Sequence, residues 1–166
     1  MHRWNHVNYS IPPERMALVE ACIDAVFPWE KFVAKPSLLG YRFSEDLNEG
    51  ALYFRPVPEA GVLADALRRL RATDPELERA LGRLETIDAD WADHAGFMVR
   101  SVAEWEERLG TATRLAQERP ELELRVVDVL RPGDGRSQTD YLYQAFIRIG
   151  LLGPLRNTFE MQARRA

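Results

Sequence analysis

Two short stretches of this chain repeat one another. Asn5-His6-Val7-Asn8-Tyr9 and Asp93-His94-Ala95-Gly96-Phe97 each carry an amide or carboxylate, then a histidine, then an aromatic three residues after the histidine. Each opens a segment that reads as strand, helix and several strands. A half-fold that recurs is a strong constraint, because two copies of one unit pack on each other and commonly share one site.

In the first copy Val7 and Tyr9 alternate with His6 and Asn8, the period of a half-buried strand, which predicts a strand over residues 4–10. Ser10 and the prolines of Ile11-Pro12-Pro13-Glu14 supply a capping oxygen and a first turn. Met16, Val19, Ala21-Cys22-Ile23 and Val26-Phe27 then recur at helical spacing until Pro28. Three apolar runs follow, over residues 32–34, 38–43 and 51–57, separated by Lys35-Pro36-Ser37 and Asp46-Leu47-Asn48-Glu49-Gly50. The second copy has the same outline: a strand from Asp93 to Val99, Ser101 as cap, a helix over 102–117 closed by Arg119-Pro120, and strands over 122–130, 140–149 and 156–162. Between the copies, Leu63, Ala66, Leu67 and Leu70 form one helical stripe. Leu77, Leu81 and Leu84 form another, with Asp74-Pro75 starting the second helix. This hairpin reads as a connector lying over one face of a sheet, or as an element that recruits a protein partner. The expected fold class is α+β: two βαβββ modules, residues 1–58 and 91–166, pairing into a half-open curved sheet, with a helical linker over 59–90, in one structural domain.

Composition narrows the function. At 166 residues the chain can bury one good core, and a formal charge of -4 argues against coating nucleic acid, which requires a basic face. The start lacks the apolar core of a signal peptide and no apolar run approaches a membrane span, so the expected location is the cytoplasm, away from the membrane. The single cysteine, Cys22, excludes an intrachain disulfide and a thiolate zinc cage and reads as a small core residue.

Strand parity then selects candidate site residues. His6 and His94 oppose the apolar parity of their strands, and Glu160 in Thr158-Phe159-Glu160-Met161-Gln162 opposes Phe159 and Met161. All three therefore point away from the helix-packed face. Two imidazoles and one carboxylate form a facial triad that leaves positions open and suits Fe(II), Mn(II) or Zn(II). The same parity places Trp4 and Asn8 with His6, Tyr53 with Arg55, and Gln144 with Arg148 as residues lining the cavity, where arginines and aromatics favour an anionic or ring-bearing ligand. No side chain stands out as a catalytic base, and there is neither a glycine-rich phosphate loop nor a Ser/His/Asp arrangement.

Paired βαβββ modules, a histidine in the first strand of each and Thr-Phe-Glu-Met in the last strand resemble the vicinal oxygen chelate superfamily. That superfamily includes glyoxalase I, epimerases, bleomycin-resistance proteins and extradiol dioxygenases. The resemblance implies His6, His94 and Glu160 as ligands of one divalent metal ion that a small-molecule substrate chelates through two neighbouring oxygens. It also implies a homodimer, whose sites are completed within one chain or across two. The chain departs from the four-ligand members, because Tyr53 stands at the place matching Glu160, and it offers no further histidines of the kind extradiol dioxygenases use. Tyr141-Leu142-Tyr143-Gln144-Ala145-Phe146 and Phe159-Glu160-Met161-Gln162-Ala163-Arg164 also resemble the tail of 4-hydroxyphenylpyruvate dioxygenase, which implies that Gln144 faces substrate. Two functions remain open on this reading: a metal-dependent enzyme, dioxygenase-like or glyoxalase-like, and a non-catalytic protein that sequesters a drug or metabolite.

Overall fold

The computed structural model describes residues 6–42, 50–85, 93–137, 139–153 and 157–165. β1 (His6–Ile11) leads through a 3-10 turn at Pro13–Arg15 into α1 (Met16–Val26), and β2 (Glu30–Lys35), β3 (Leu38–Arg42) and β4 (Ala51–Pro56) complete the first module. α2 (Pro58–Thr73) and α3 (Pro75–Glu85) form the linker. β5 (Ala95–Met98), α4 (Val102–Glu118), β6 (Leu124–Leu130), β7 (Leu142–Ile149) and β8 (Thr158–Arg164) form the second module.

Local chemistry accounts for most boundaries. Pro28 forces its neighbour out of the helical region, and Phe27 turns extended while its N–H still donates to the Ile23 carbonyl. Ser101 Oγ accepts from the Glu104 N–H at 3.1 Å while the Glu104 carboxylate accepts from the Arg100 N–H at 3.0 Å, a close variant of the capping box. Asp74 Oδ1 accepts from the N–H groups of Glu76 and Leu77 at 2.9 and 3.0 Å and so starts α3. Ser10 does not cap α1 as expected: β1 runs on through Ile11, paired with Pro56 of β4, and the strand ladder keeps Ser10 extended.

Among the described residues the strands form two four-stranded sheets, β1-β4-β3-β2 and β5-β8-β7-β6, with the helices between them and no closed barrel. In each sheet the first strand runs parallel to the fourth, and the second carries a register shift, at Lys31/Val33 and at Val126/Asp128. The duplication therefore extends to residue level. Asn8 pairs with Tyr53 where Gly96 pairs with Glu160, and Gly40 pairs with Tyr53 where Phe146 pairs with Glu160.

One apolar core spans both modules, from Ile11, Leu52 and Phe54 through Val19, Ile23 and Val26 of α1 and Trp105, Leu109 and Ala112 of α4 to Ile147, Phe159 and Met161. Its joint is aromatic. Phe27 stacks on Trp29 at 4.3 Å, and both rings present edges to Phe97 (5.5 and 5.0 Å) and Phe159 (5.3 and 5.4 Å) of the second module. Trp105 is fully buried and satisfies its indole N–H on the Met161 carbonyl at 2.9 Å. Both sheets give one face to this core, and the opposite, outward face of the second is itself largely buried at Gln144, Phe146, Arg148 and Glu160.

The hairpin does not lie across a sheet face as expected. No residue of α2 is buried, and Val62, Leu63 and Leu70 remain 68%, 59% and 50% exposed. The half-buried Leu67, Leu77 and Leu81 and the ion pair of Arg71 with Glu78 (2.6 Å) show why: the two helices pack on each other and need no sheet beneath them. Among the described residues no helix is long and apolar enough to cross a membrane.

Candidate functional site

The outward face of the second sheet carries the polar chemistry. Glu160 is in the middle of β8, between β5 and β7, with Phe159 and Met161 turned into the core on either side, so its carboxylate has to emerge on the outward face. It is nonetheless 4% exposed. A buried carboxylate must be compensated, and here the partners are specific. Gln144 Nε2 of β7 and Gln162 Nε2, two residues along β8, both donate to Glu160 Oε1 at 2.7 Å. His94 Nε2 lies 3.2 Å from the other oxygen, Oε2. Phe146 presents its ring to the His94 imidazole at 5.3 Å, nearly perpendicular, and it is fully buried beside Leu130 and Val127. Gly96 pairs with Glu160, and a Cβ there would stand 3.2 Å from Oε2, so glycine leaves room beside the oxygen that faces His94. Extending the β5–β8 register by one residue sets His94 beside Thr158, whose hydroxyl lies 3.4 Å from Arg148 Nε.

The outward face of the first sheet is the counterpart, with different side chains. His6 is exposed and meets Tyr53 edge-on at 5.3 Å, and Tyr53 meets Phe32 at 5.8 Å. Phe32 enters at the register shift of β2 and lies over Gly40, where a Cβ would be 3.0 Å from its ring. Arg55 Nε donates to Asn8 Oδ1 at 3.1 Å.

Of the residues singled out from the sequence, the structure thus brings His94, Glu160 and Gln144 together, with Arg148 two residues along β7 from Phe146, the partner of Glu160, and separately groups His6, Asn8, Tyr53 and Arg55. It does not gather His6 with the other two expected ligands: among the described residues no three His, Cys, Asp or Glu side chains stand close enough to hold a metal ion. Trp4 lies outside the described residues. Gln144, expected to face substrate, is 6% exposed and turns its amide to Glu160. Gln162, Phe146 and Phe32 were not singled out from the sequence, although Gln162 shares the parity of Glu160 and Phe146 that of Gln144.

The His94–Glu160 spacing is that of a direct imidazole–carboxylate contact and also that of two donors sharing one divalent ion. Donors about 2.1 Å from a metal and about 90–110° apart stand roughly 3.0–3.4 Å from each other, which brackets the observed 3.2 Å. An imidazole nitrogen and a carboxylate oxygen are also the donor types that such ions accept.

No protein-family model and no curated relative matches the chain. Solved structures with a similar course include a glyoxalase-related enzyme from Fulvimarina pelagi, at 11% identity and TM-score 0.48, covering 99% of this chain and 89% of that one. Others are a Bacillus anthracis protein ascribed to the glyoxalase family (11%, 0.48, 99% and 97%) and the bleomycin-binding protein of Streptomyces verticillus complexed with copper(II)-bleomycin (12%, 0.46, 99% and 97%). Element order and strand pairing, βαβββ twice with the first strand parallel to the fourth, are by themselves the fold implied by the resemblance to the vicinal oxygen chelate superfamily.

Proposed function

We propose that this chain is one subunit of a small homodimeric, metal-dependent enzyme of the vicinal oxygen chelate type. His94 and Glu160 of one subunit and His6 of the other hold one divalent ion, Fe(II), Mn(II) or Zn(II), and a small-molecule substrate binds through two neighbouring oxygens. The observation that carries this reading is the pair itself, an imidazole nitrogen 3.2 Å from a buried carboxylate oxygen whose twin is already committed to two amides.

The place of His6 supports dimerisation. It belongs to β1, an edge strand of the first sheet, and His94 precedes β5, an edge strand of the second. Edge strands are templates for another chain, and β5 itself exposes Met98 (48%), an apolar side chain suited to an interface. When bound, the ion supplies Lewis acidity to two adjacent substrate oxygens. The protein's own groups do the rest: Arg148 and Arg55 offer positive charge to an oxyanionic substrate, and Tyr53 and Phe32 provide a ring-faced wall.

Metal analysis of protein prepared without chelator, on single and mixed dimers, tests this. Wild type should carry one ion per subunit and His94→Ala almost none. A mixed dimer of His6→Ala with His94→Ala should regain one site, because one of its two interfaces has both histidines. Absence of stoichiometric metal in the wild type, or full occupancy in His94→Ala, would refute the reading.

The aromatic row of exposed His6, half-buried Tyr53 and exposed Phe32 favours a second reading, a non-catalytic protein of the bleomycin-resistance type that sequesters a ring-bearing compound. Stoichiometric bleomycin binding that survives EDTA and loss of both histidines would select it over the enzyme.

A further inference from the structure

Glu160 is held in an unequal way. A carboxylate has two equivalent oxygens and can serve a metal through either or both. Here Oε1 accepts two hydrogen bonds of 2.7 Å, from Gln144 and Gln162, which uses the lone-pair directions an ion would need. Each amide must turn its NH2 to Glu160, because an ionised carboxylate only accepts, so the orientation of both glutamines is fixed by chemistry. Ser137 Oγ, 3.5 Å from Gln144 Oε1, backs the first amide from the far side. Oε2 is left toward His94, and Gly96 keeps the space next to it clear.

We infer that Gln144 and Gln162 are positioning residues that clamp Glu160 through Oε1, so that it serves as a one-oxygen ligand through Oε2 alone. The inference rests on the metal reading above and makes it more specific. A carboxylate held to one oxygen leaves one more coordination position for incoming ligands than a two-oxygen carboxylate would, which suits a substrate that itself needs two. The glutamines touch neither ion nor substrate in this role and act through the orientation of Glu160. Groups that hydrogen-bond a ligand in this way fix its orientation and so tune metal affinity.

The test uses Co(II) alone, titrated into the intact metal-free protein and followed by calorimetry and by visible absorption. Wild type should bind one ion per subunit. Gln144→Leu and Gln162→Leu should each weaken binding by about 10–100-fold, the usual cost of removing such a partner, and should change the absorption band as Glu160 becomes free to use both oxygens. Gln162 is only half-buried, so its variant provides the reading if Gln144→Leu does not fold, and urea midpoints confirm the folded state of each. Wild-type affinity and an unchanged spectrum in both variants would overturn the clamp while leaving the metal site intact. Failure of the wild type itself to bind Co(II) would overturn the metal reading, and the clamp's role with it.

Discussion

Phe159→Ala tests whether the two modules are one cooperative unit. Phe159 is 1% exposed and forms the second module's half of the aromatic joint, against Phe27 at 5.3 Å, Trp29 at 5.4 Å and Tyr9 at 6.2 Å, all from the first module. At about 25 cal/mol/Å² over the roughly 150 Å² that a buried phenylalanine hides, less the methyl that stays, the transfer loss is about 3 kcal/mol. The cavity and three forfeited ring contacts move the total toward the upper half of the ~3–5 kcal/mol typical of such truncations. Against a stability of about 5–15 kcal/mol, that is a large share. Urea unfolding followed by circular dichroism gives the total, and native-state hydrogen exchange gives its distribution. Because the lost contacts cross between modules, amides of β3 and β4 should lose as much protection as those of β7 and β8. A loss confined to the second module, or one below about 1 kcal/mol, would refute the view of a single joined core.

Three further outcomes follow from local geometry. Hydrogen bonds to Asp24 and Glu20 raise the pKa of Lys31, while burial and then a hydrogen bond to Asp24 raise that of Tyr41. Above about pH 10 the unfolded chain sheds protons that the native one keeps, so the urea midpoint should be level below that pH and fall above it, and Tyr41→Phe should flatten the fall. Burial pushes the Cys22 thiol up to about 12, so a disulfide reagent at pH 8 should label it only in denaturant, and rapid native labelling would contradict its place in the core. In Gly40→Ala the added methyl would stand 3.0 Å from Phe32 Cζ and from Val33 Cγ1, so the Phe32 ring must swing off the sheet. The expected cost is about 1–2 kcal/mol in urea, with a crystal structure showing the ring displaced from Tyr53.

Element order was readable because most boundaries have a local cause. Pro28, Asp74 and Ser101 act within a few residues of themselves, and periodicity marks the faces between them. Ser10 misled because the same oxygen can cap a helix or sit in a strand, and only the pairing of Ile11 with Pro56, at the far end of the first module, decides which. The hairpin misled for a related reason: apolar stripes such as Leu67 with Leu77 and Leu81 are satisfied equally by a sheet or by each other. Parity put His94, Glu160 and Gln144 on one face, where their side chains do meet. It is a rule about one strand, however, and cannot tell whether two edge strands meet within a chain. The separation of His6 from His94 and Glu160 was therefore beyond its reach, as was the turning of the Gln144 amide onto Glu160, which depends on a side-chain torsion.

The two halves have diverged in opposite directions at matched positions. Register aligns Tyr53 with Glu160 and Gly40 with Phe146, and the shifted segments of β2 and β6 align Phe32 with Val127. In the first half a glycine lets Phe32 fold over the sheet beside Tyr53. In the second, Phe146 fills that place itself and turns its ring to His94. The first half thus offers a histidine, rings and Arg55; the second offers a histidine, a carboxylate and the amides that fix it. Neither half repeated against itself would combine a carboxylate with a ring-lined wall, since two first halves lack the carboxylate and two second halves lack Tyr53 and Phe32. A site built from one of each has both, and a two-fold dimer of this chain would contain two such sites, each with the same complement.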